Sequence, residues 1–452
     1  MSFRRNLVVI FTHGLRSDTL GDYAAWPLKC PHFLKLSLQG IRLVSTSCSP
    51  ADPDGMTSLY TGLHVRQQGQ HALEPRLGDT RLSGGWPSLL ADEGYHLAGA
   101  GRVGPIVHWL DQSVCVEDVS RTEAPTCAYL KHVASRGMLN AILAQRKQRL
   151  RYGPFDPDRL LLEPDDDIDG FIGAQGASLI EQMPTGEPWS TIISFTGPGN
   201  ELPPPSLYDG LVDPSSLMQD FAPVDLSQVN HLVELDYPRT LLQRLDAYQI
   251  GRIRADYLGR VSLIDHALSR ILRAISNRPD ASRTWVVLAS DRGMLLGEKG
   301  LVGHRSFLAP VVETPAIIAP PLTGKIPAEP HHHEGLISNV DIAATIASLA
   351  GCDLPAHTTG RSLLPLLNGL DTEPRASQLC CLSEFGQRLM IETARYKTIF
   401  SVENRNVLAL YDLLKDPYEQ QNIMDQPLGM DMIDTMRMRL GDALLPLRCV
   451  AV

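Results

Sequence analysis

Short apolar runs at 7–11, 191–195, 285–289 and 316–319 recur along the chain, each followed by polar or glycine-rich residues and then by a helical pattern. Runs of that length bounded by turn signals suit strands buried on both faces, and the intervening helices must cover those faces. The chain therefore reads as an α/β sheet with helices on both faces. In such sheets the loops after the carboxyl ends of the strands collect functional groups, so the residues just past those runs are the first candidates for a site.

A well-patterned helix is expected over 248–275, because Ile253, Tyr257, Val261, Ile264, Leu268, Ile271 and Leu272 recur at spacings of three and four. The stretch 206–245 has no clear period and reads as a long excursion over the pocket side. Beyond the turn-rich 355–369, short strands at 389–392, 396–400 and 407–411 precede a final helix, which reads as a small C-terminal α+β domain. With 452 residues and 43% hydrophobic content the chain fills one large and one smaller unit, 1–355 and 356–452.

A net charge of −10 opposes nonspecific binding to nucleic acid or an anionic membrane, both of which select basic faces. The 8 cysteines include no CxxC pair and read as buried free thiols of a reducing compartment. Arg4-Arg5 and the apolar run after it imitate an export signal, but the run is too short and reads as a first core strand. No other stretch approaches the roughly eighteen apolar residues that span a bilayer, so a cytoplasmic protein is the expectation.

Several blocks, in order, resemble the sulfatases of the alkaline phosphatase superfamily. Arg16-Ser17-Asp18-Thr19-Leu20-Gly21 resembles the family's opening block, and Thr61-Gly62-Leu63-His64 the helix carrying the nucleophile. Ser290-Asp291-Arg292-Gly293-Met294-Leu295-Leu296-Gly297-Glu298-Lys299-Gly300-Leu301 matches best. Asn339-Val340-Asp341, Gly360-Arg361-Ser362-Leu363-Leu364 and Asp416-Pro417-Tyr418-Glu419 complete the series. The resemblance implies the family's mixed sheet, a formylglycine made within a Cys-x-Pro-x-Arg motif, and a calcium ion held by clustered carboxylates and Asn or His side chains.

Position by position, the chain departs from that set. The nucleophile position falls on Asp52 and the motif arginine on Met56. A second register begins at Cys48 but places Asp52 where the motif needs arginine, so no formylglycine is expected in either. Asp52-Pro53 also has the form of an ordinary helix N-cap followed by proline. Where the family's paired aspartates open the metal site, His13-Gly14 stands; Asp291 remains as a metal-site carboxylate, but its neighbour is Arg292. One carboxylate does not replace the six to eight oxygens that calcium takes, so no cofactor is expected. Arg292 instead supplies a permanent charge and a planar fork suited to sulfate, phosphate or carboxylate.

The family's pocket lysines resemble Arg102 and His304, while its histidines have become Gly104 and Gly199. Asp52, Arg102 and His304 are thus the candidate catalytic residues, and Arg292, Arg102 and His13 the candidate anion-binding ones. Two bland readings stand beside these. Strand-end His13 has the position of a satisfied core histidine, and Asp291 with Arg292 that of a plain ion pair. Asp165-Asp166-Asp167 reads as a solvated face and His331-His332-His333 as a surface loop. The expected function is an inactive or impaired, anion-binding sulfatase homologue taking a small anion or a sulfate or phosphate ester. The alternative is an active sulfuric-ester or phosphoric-ester hydrolase with a metal-poor site.

Overall fold

The computed structural model describes residues 4–20, 26–47, 54–68, 85–116, 127–152, 159–199, 202–218, 235–322, 331–333, 335–367 and 381–445. The apolar run at 7–11 lies in β1 (Asn6–His13), every residue of which is buried. Its side chains alternate between two cores, Val8 and Ile10 in one, Leu7, Val9 and Phe11 in the other. That explains why the run shows no polar alternation: a central strand covered on both faces has no solvent side.

The remaining strands of this sheet are β2 (Ile41–Ser47), β3 (His96–Gly101), β4 (Gln112–Cys115), β5 (Trp189–Pro198), β6 (Thr284–Ser290), β9 (Glu313–Ala319), β10 (His331–His333) and β11 (Ile337–Ser338). Their order is β10-β2-β9-β6-β1-β5-β3-β4, with β11 also on β2. The pairs within β4-β3-β5-β1-β6 are parallel, whereas β9 runs against both of its neighbours. The sheet is therefore mixed, and the carboxyl ends of β1, β3, β5 and β6 open on one edge. The hairpin β7 (Leu295–Leu296) and β8 (Val302–Gly303) follows β6 on that side.

The helices Ile168–Gln182 and Ala247–Ser276 cover the first core, and Asp54–Thr61, Trp86–Asp92 and Asn339–Ala350 the second. The long helix starts one residue earlier and ends one later than its periodicity predicts. Its start is set by a capping box in which the Asp246 side chain accepts from Gln249 N and the Gln249 side chain from Asp246 N. The 206–245 stretch contributes short turns, Ser206–Tyr208 and Pro214–Leu217, and a short helix, Arg239–Leu242; the second turn meets the long helix through Leu217 O and Arg254.

The C-terminal sheet consists of β12 (Cys381–Phe385), β13 (Arg388–Glu392), β14 (Tyr396–Ser401) and β15 (Val407–Asp412), all antiparallel, with the helix Pro427–Leu444 packed on one face. β12 was not among the expected strands.

Two sequence expectations are corrected. His331-His332-His333 forms β10 beside β2 rather than a surface loop. The run Asp165 to Asp167 is not a solvated face as a whole. Asp165 is exposed, but Asp166 is buried against His132 and Arg136, and Asp167 is buried against Arg260.

Gly101 ends β3 with φ +96°, and a Cβ there would overlap the Ser194 carbonyl oxygen. A Gly101→Ala substitution is expected to lower the unfolding free energy by at least about 2 kcal/mol, from the backbone conformation and the overlap together. Urea unfolding checks this, and an unchanged midpoint would refute it.

Candidate functional site

Three segments meet at the carboxyl edge of the sheet. β1 delivers His13 and turns at Gly14 with φ +80°, a conformation that favours glycine. β6 delivers Asp291, whose N–H donates to Thr12 O at 3.1 Å and keeps it level with His13. β3 delivers Arg102, whose backbone N–H donates to Ser194 O on β5 at 2.9 Å.

The Asp291 carboxylate is the centre. Its Oδ2 lies 2.6 Å from His13 Nδ1 and 2.6 Å from Arg292 Nη1, and its Oδ1 accepts from Gly14 N at 3.3 Å. The side chains of His13, Asp291 and Arg292 are 1%, 2% and 7% exposed, so these contacts are made out of water, where an unpaired charge would be costly. Arg102 Nη1 approaches His13 Nδ1 to 3.1 Å. An Nδ1 that close to a carboxylate carries the proton, which is assigned from geometry. The Arg102 contact is then a cation beside an N–H: one guanidinium and an imidazole meet the carboxylate, and the second guanidinium stands against the imidazole.

Neighbours hold this arrangement. Asn339 Nδ2 donates to Asp291 O at 3.2 Å from the first residue of its helix. The Ser290 hydroxyl accepts from Leu15 N at 3.0 Å. The Tyr257 hydroxyl donates to Gly14 O at 2.9 Å and accepts from Arg16 N at 2.9 Å, and burial pushes this phenol up from its ordinary value. Sequence reasoning placed Tyr257 only on the apolar face of its helix and gave Asn339 no role. A hydroxyl on an otherwise apolar helix face was the available signal for Tyr257.

The structure thus brings Asp291, Arg292, His13 and Arg102 together, with His13 buried and bonded to Asp291. The partner shown for His304 is Asp236, whose Oδ2 accepts from His304 N at 2.7 Å and whose Oδ1 lies 3.8 Å from His304 Nδ1. Asp236 comes from the stretch that lacked a pattern. Asp52 and Cys48 lie outside the described residues. Met56, in the register of the maturation arginine, packs into the second core at 7% exposure. His64 is pushed down to about 4 by burial and is therefore neutral near pH 7. Among the described residues, no group of three or more His, Cys, Asp or Glu side chains is placed to hold a metal.

Residues 5–352 match the family described as Sulfatase, well over half of the chain. The chain belongs to the sulfatase family. Residues 297–444 also match the C-terminal region described as N-sulphoglucosamine sulphohydrolase, C-terminal. Among individual sulfatases, the chain is 26% identical to a choline-sulfatase of Rhizobium meliloti (strain 1021) over 254 residues, covering 54% of this chain and 47% of that one. It is 26% identical to arylsulfatase K of Canis lupus familiaris over 410 residues, covering 84% and 70%. The chain thus spans about half the length of the choline-sulfatase and 33% of an N-acetylglucosamine-6-O-sulfatase of Bacteroides thetaiotaomicron.

Solved structures share the sulfatase fold. A phosphonate monoester hydrolase from Silicibacter pomeroyi superposes with a TM-score of 0.79 at 18% identity, covering 98% of this chain and 95% of that one. A protein solved in complex with its substrate D-glucosamine-2-N,6-O-disulfate superposes with a TM-score of 0.73 at 16% identity, covering 99% and 98%.

Proposed function

We propose that this sulfatase-family protein binds a small anion, or the sulfate or phosphate group of an ester, at Arg292, Arg102 and His13, without calcium and with its hydrolytic chemistry lost or impaired. The observation carrying the reading is the 2.6 Å contact between Arg292 Nη1 and Asp291 Oδ2. The carboxylate that the family resemblance assigns to calcium is committed to a guanidinium, to His13 and to Gly14 N–H. Among the described residues no cluster of ligands stands beside it, and one carboxylate does not supply the six to eight oxygens that calcium takes. Removing ligands and installing an arginine relieve one another, because stripped carboxylates would repel while the arginine neutralises the one that stays. The two guanidiniums then meet a tetrahedral oxyanion with charge-assisted hydrogen bonds. Met56 in the core, in place of a maturation arginine, favours the unmodified state. Cys30, Cys127 and Cys352 are free thiols, which supports a cytoplasmic setting.

Thermal unfolding with millimolar Ca²⁺ or sulfate tests the proposal. Calcium is expected to leave the melting temperature unchanged, although specific binding at a hundredfold excess over its dissociation constant would add about 2.7 kcal/mol. Sulfate is expected to raise the melting temperature, and Arg292→Ala to abolish that rise. A calcium-dependent rise removed by Asp291→Ala would overturn the reading. Turnover of nitrophenyl sulfate or phosphate that is lost in Asp52→Asn and in Arg292→Ala would establish the alternative, a working ester hydrolase.

A further inference from the structure

We infer that the buried Asp169–Arg260 pair is a positioning device for this site, holding the end of β5 in the shape that brings Arg102 against His13. The inference rests on the anion-site reading and extends it to residues on the helices Ile168–Gln182 and Ala247–Ser276.

β5 is irregular where it passes β1. Phe11 pairs with Ser194 and His13 with Pro198, so Phe195, Thr196 and Gly197 stand opposite Thr12 alone. Such a bulge takes N–H groups out of the ladder, and buried N–H groups need other acceptors. Asp169 supplies one: its Oδ1 accepts from Thr196 N at 2.7 Å, from the Thr196 hydroxyl at 3.0 Å and from Gly197 N at 3.2 Å.

The other carboxylate oxygen, Oδ2, accepts from Arg260 Nη2 at 2.5 Å. Arg260 also bonds both oxygens of Asp167, at 2.9 and 3.0 Å, and reaches Pro203 O at 3.3 Å on the far side of the bulge. Asp169 and Arg260 are 0% and 1% exposed, so their contacts are fixed by packing and charge together.

The bulge lies between the two points where β5 touches the site. On one side Ser194 O accepts from Arg102 N at 2.9 Å, and on the other Gly199 N donates to His13 O at 2.8 Å. The shape of 195–197 therefore sets how far apart Arg102 and His13 are held. Asp169 acts on anion binding through that spacing and not by contact.

Isothermal titration of sulfate into the full-length protein tests this. Asp169→Ala is expected to weaken sulfate binding about tenfold or more, since displacements near 1 Å have effects of that order or larger. Asp169→Asn keeps an acceptor for 196–197 but sets an amide donor against Arg260, which retains Asp167, so its melting temperature is expected to fall while its sulfate affinity stays within about twofold of the wild type. A purely structural role predicts instead that affinity follows stability through both variants. Should Asp169→Ala fail to fold, Thr196→Val removes one of the three bonds and is expected to weaken sulfate about threefold to tenfold. Wild-type affinity in Asp169→Ala, or in Thr196→Val if that variant is the one measured, would overturn the inference. No sulfate binding by the wild type would sink the anion reading and this inference with it.

Discussion

Asp291→Ala is expected to lower the unfolding free energy by about 3–5 kcal/mol, the range for breaking a buried ion pair from one side. The substitution strips His13 and Arg292 of a carboxylate each contacts at 2.6 Å, and leaves Arg292 charged at a position only 7% exposed. The lost charge partner of the buried Arg292 accounts for most of that loss. The double variant Asp291→Ala, Arg292→Met is therefore expected to be more stable than Asp291→Ala alone, although it carries one more substitution. Urea unfolding of both variants, with and without millimolar calcium, makes the comparison. If Asp291→Ala lost less than about 1 kcal/mol, the value of an exposed pair, the contact would not be the desolvated one described above.

The second large effect is expected from Lys397→Met, at the junction between the two sheets. Lys397 is fully buried on β14, with its ammonium 2.5 Å from Glu419 Oε1 and 3.1 Å from Glu392 Oε2, both carboxylates at 5% exposure or less. Glu419 also accepts from Ala309 N at 2.8 Å, and its backbone oxygen from Lys299 Nζ at 2.6 Å. Removing the lysine leaves these carboxylates facing each other and Glu313 on β9, for an expected loss of about 3–5 kcal/mol near neutral pH.

That loss depends on pH, with a definite sign. Burial first, and Glu392 next, push Glu313 up to about 7 against the opposing pull of Lys397. A carboxyl group raised above its unfolded value stabilises the fold fully below that unfolded value, roughly 4.3, and the contribution is lost as pH climbs through about 7. Without Lys397 the Glu313 carboxyl rises further, so the deficit of the variant is expected to grow between pH 5.5 and pH 8. Unfolding free energies measured across that window decide it; a deficit independent of pH would contradict the electrostatic account.

Much of the framework was legible in the residue pattern. β1, β5, β6 and β9 extend the apolar runs by a few residues each, and the runs were legible because a strand buried on both faces is mostly apolar along its centre. The helix Ala247–Ser276 was legible for the corresponding reason at a period of three and four. β12 was not, since Cys381-Leu382-Ser383-Glu384-Phe385 carries a buried glutamate whose charge is met by Arg66 from the other side of the chain. The three histidines of β10 became a strand by hydrogen bonding to β2, which local composition does not encode.

The site divides along the same line. Residue identity alone determined that a permanent cation follows Asp291, which the family resemblance assigns to a metal site, and that His13 and Gly14 stand where that resemblance implies paired acids. Only the tertiary structure decided that Arg292 folds back on Asp291, that His13 joins them and that Arg102 is carried alongside at the end of β3. It also decided that Asp167 and Asp169 face Arg260 rather than water. The physical reason is that covalent neighbours and periodicity set which way a side chain starts out. The partner that compensates a buried charge comes from a distant segment, and charge pairs carry no periodic signature in the chain.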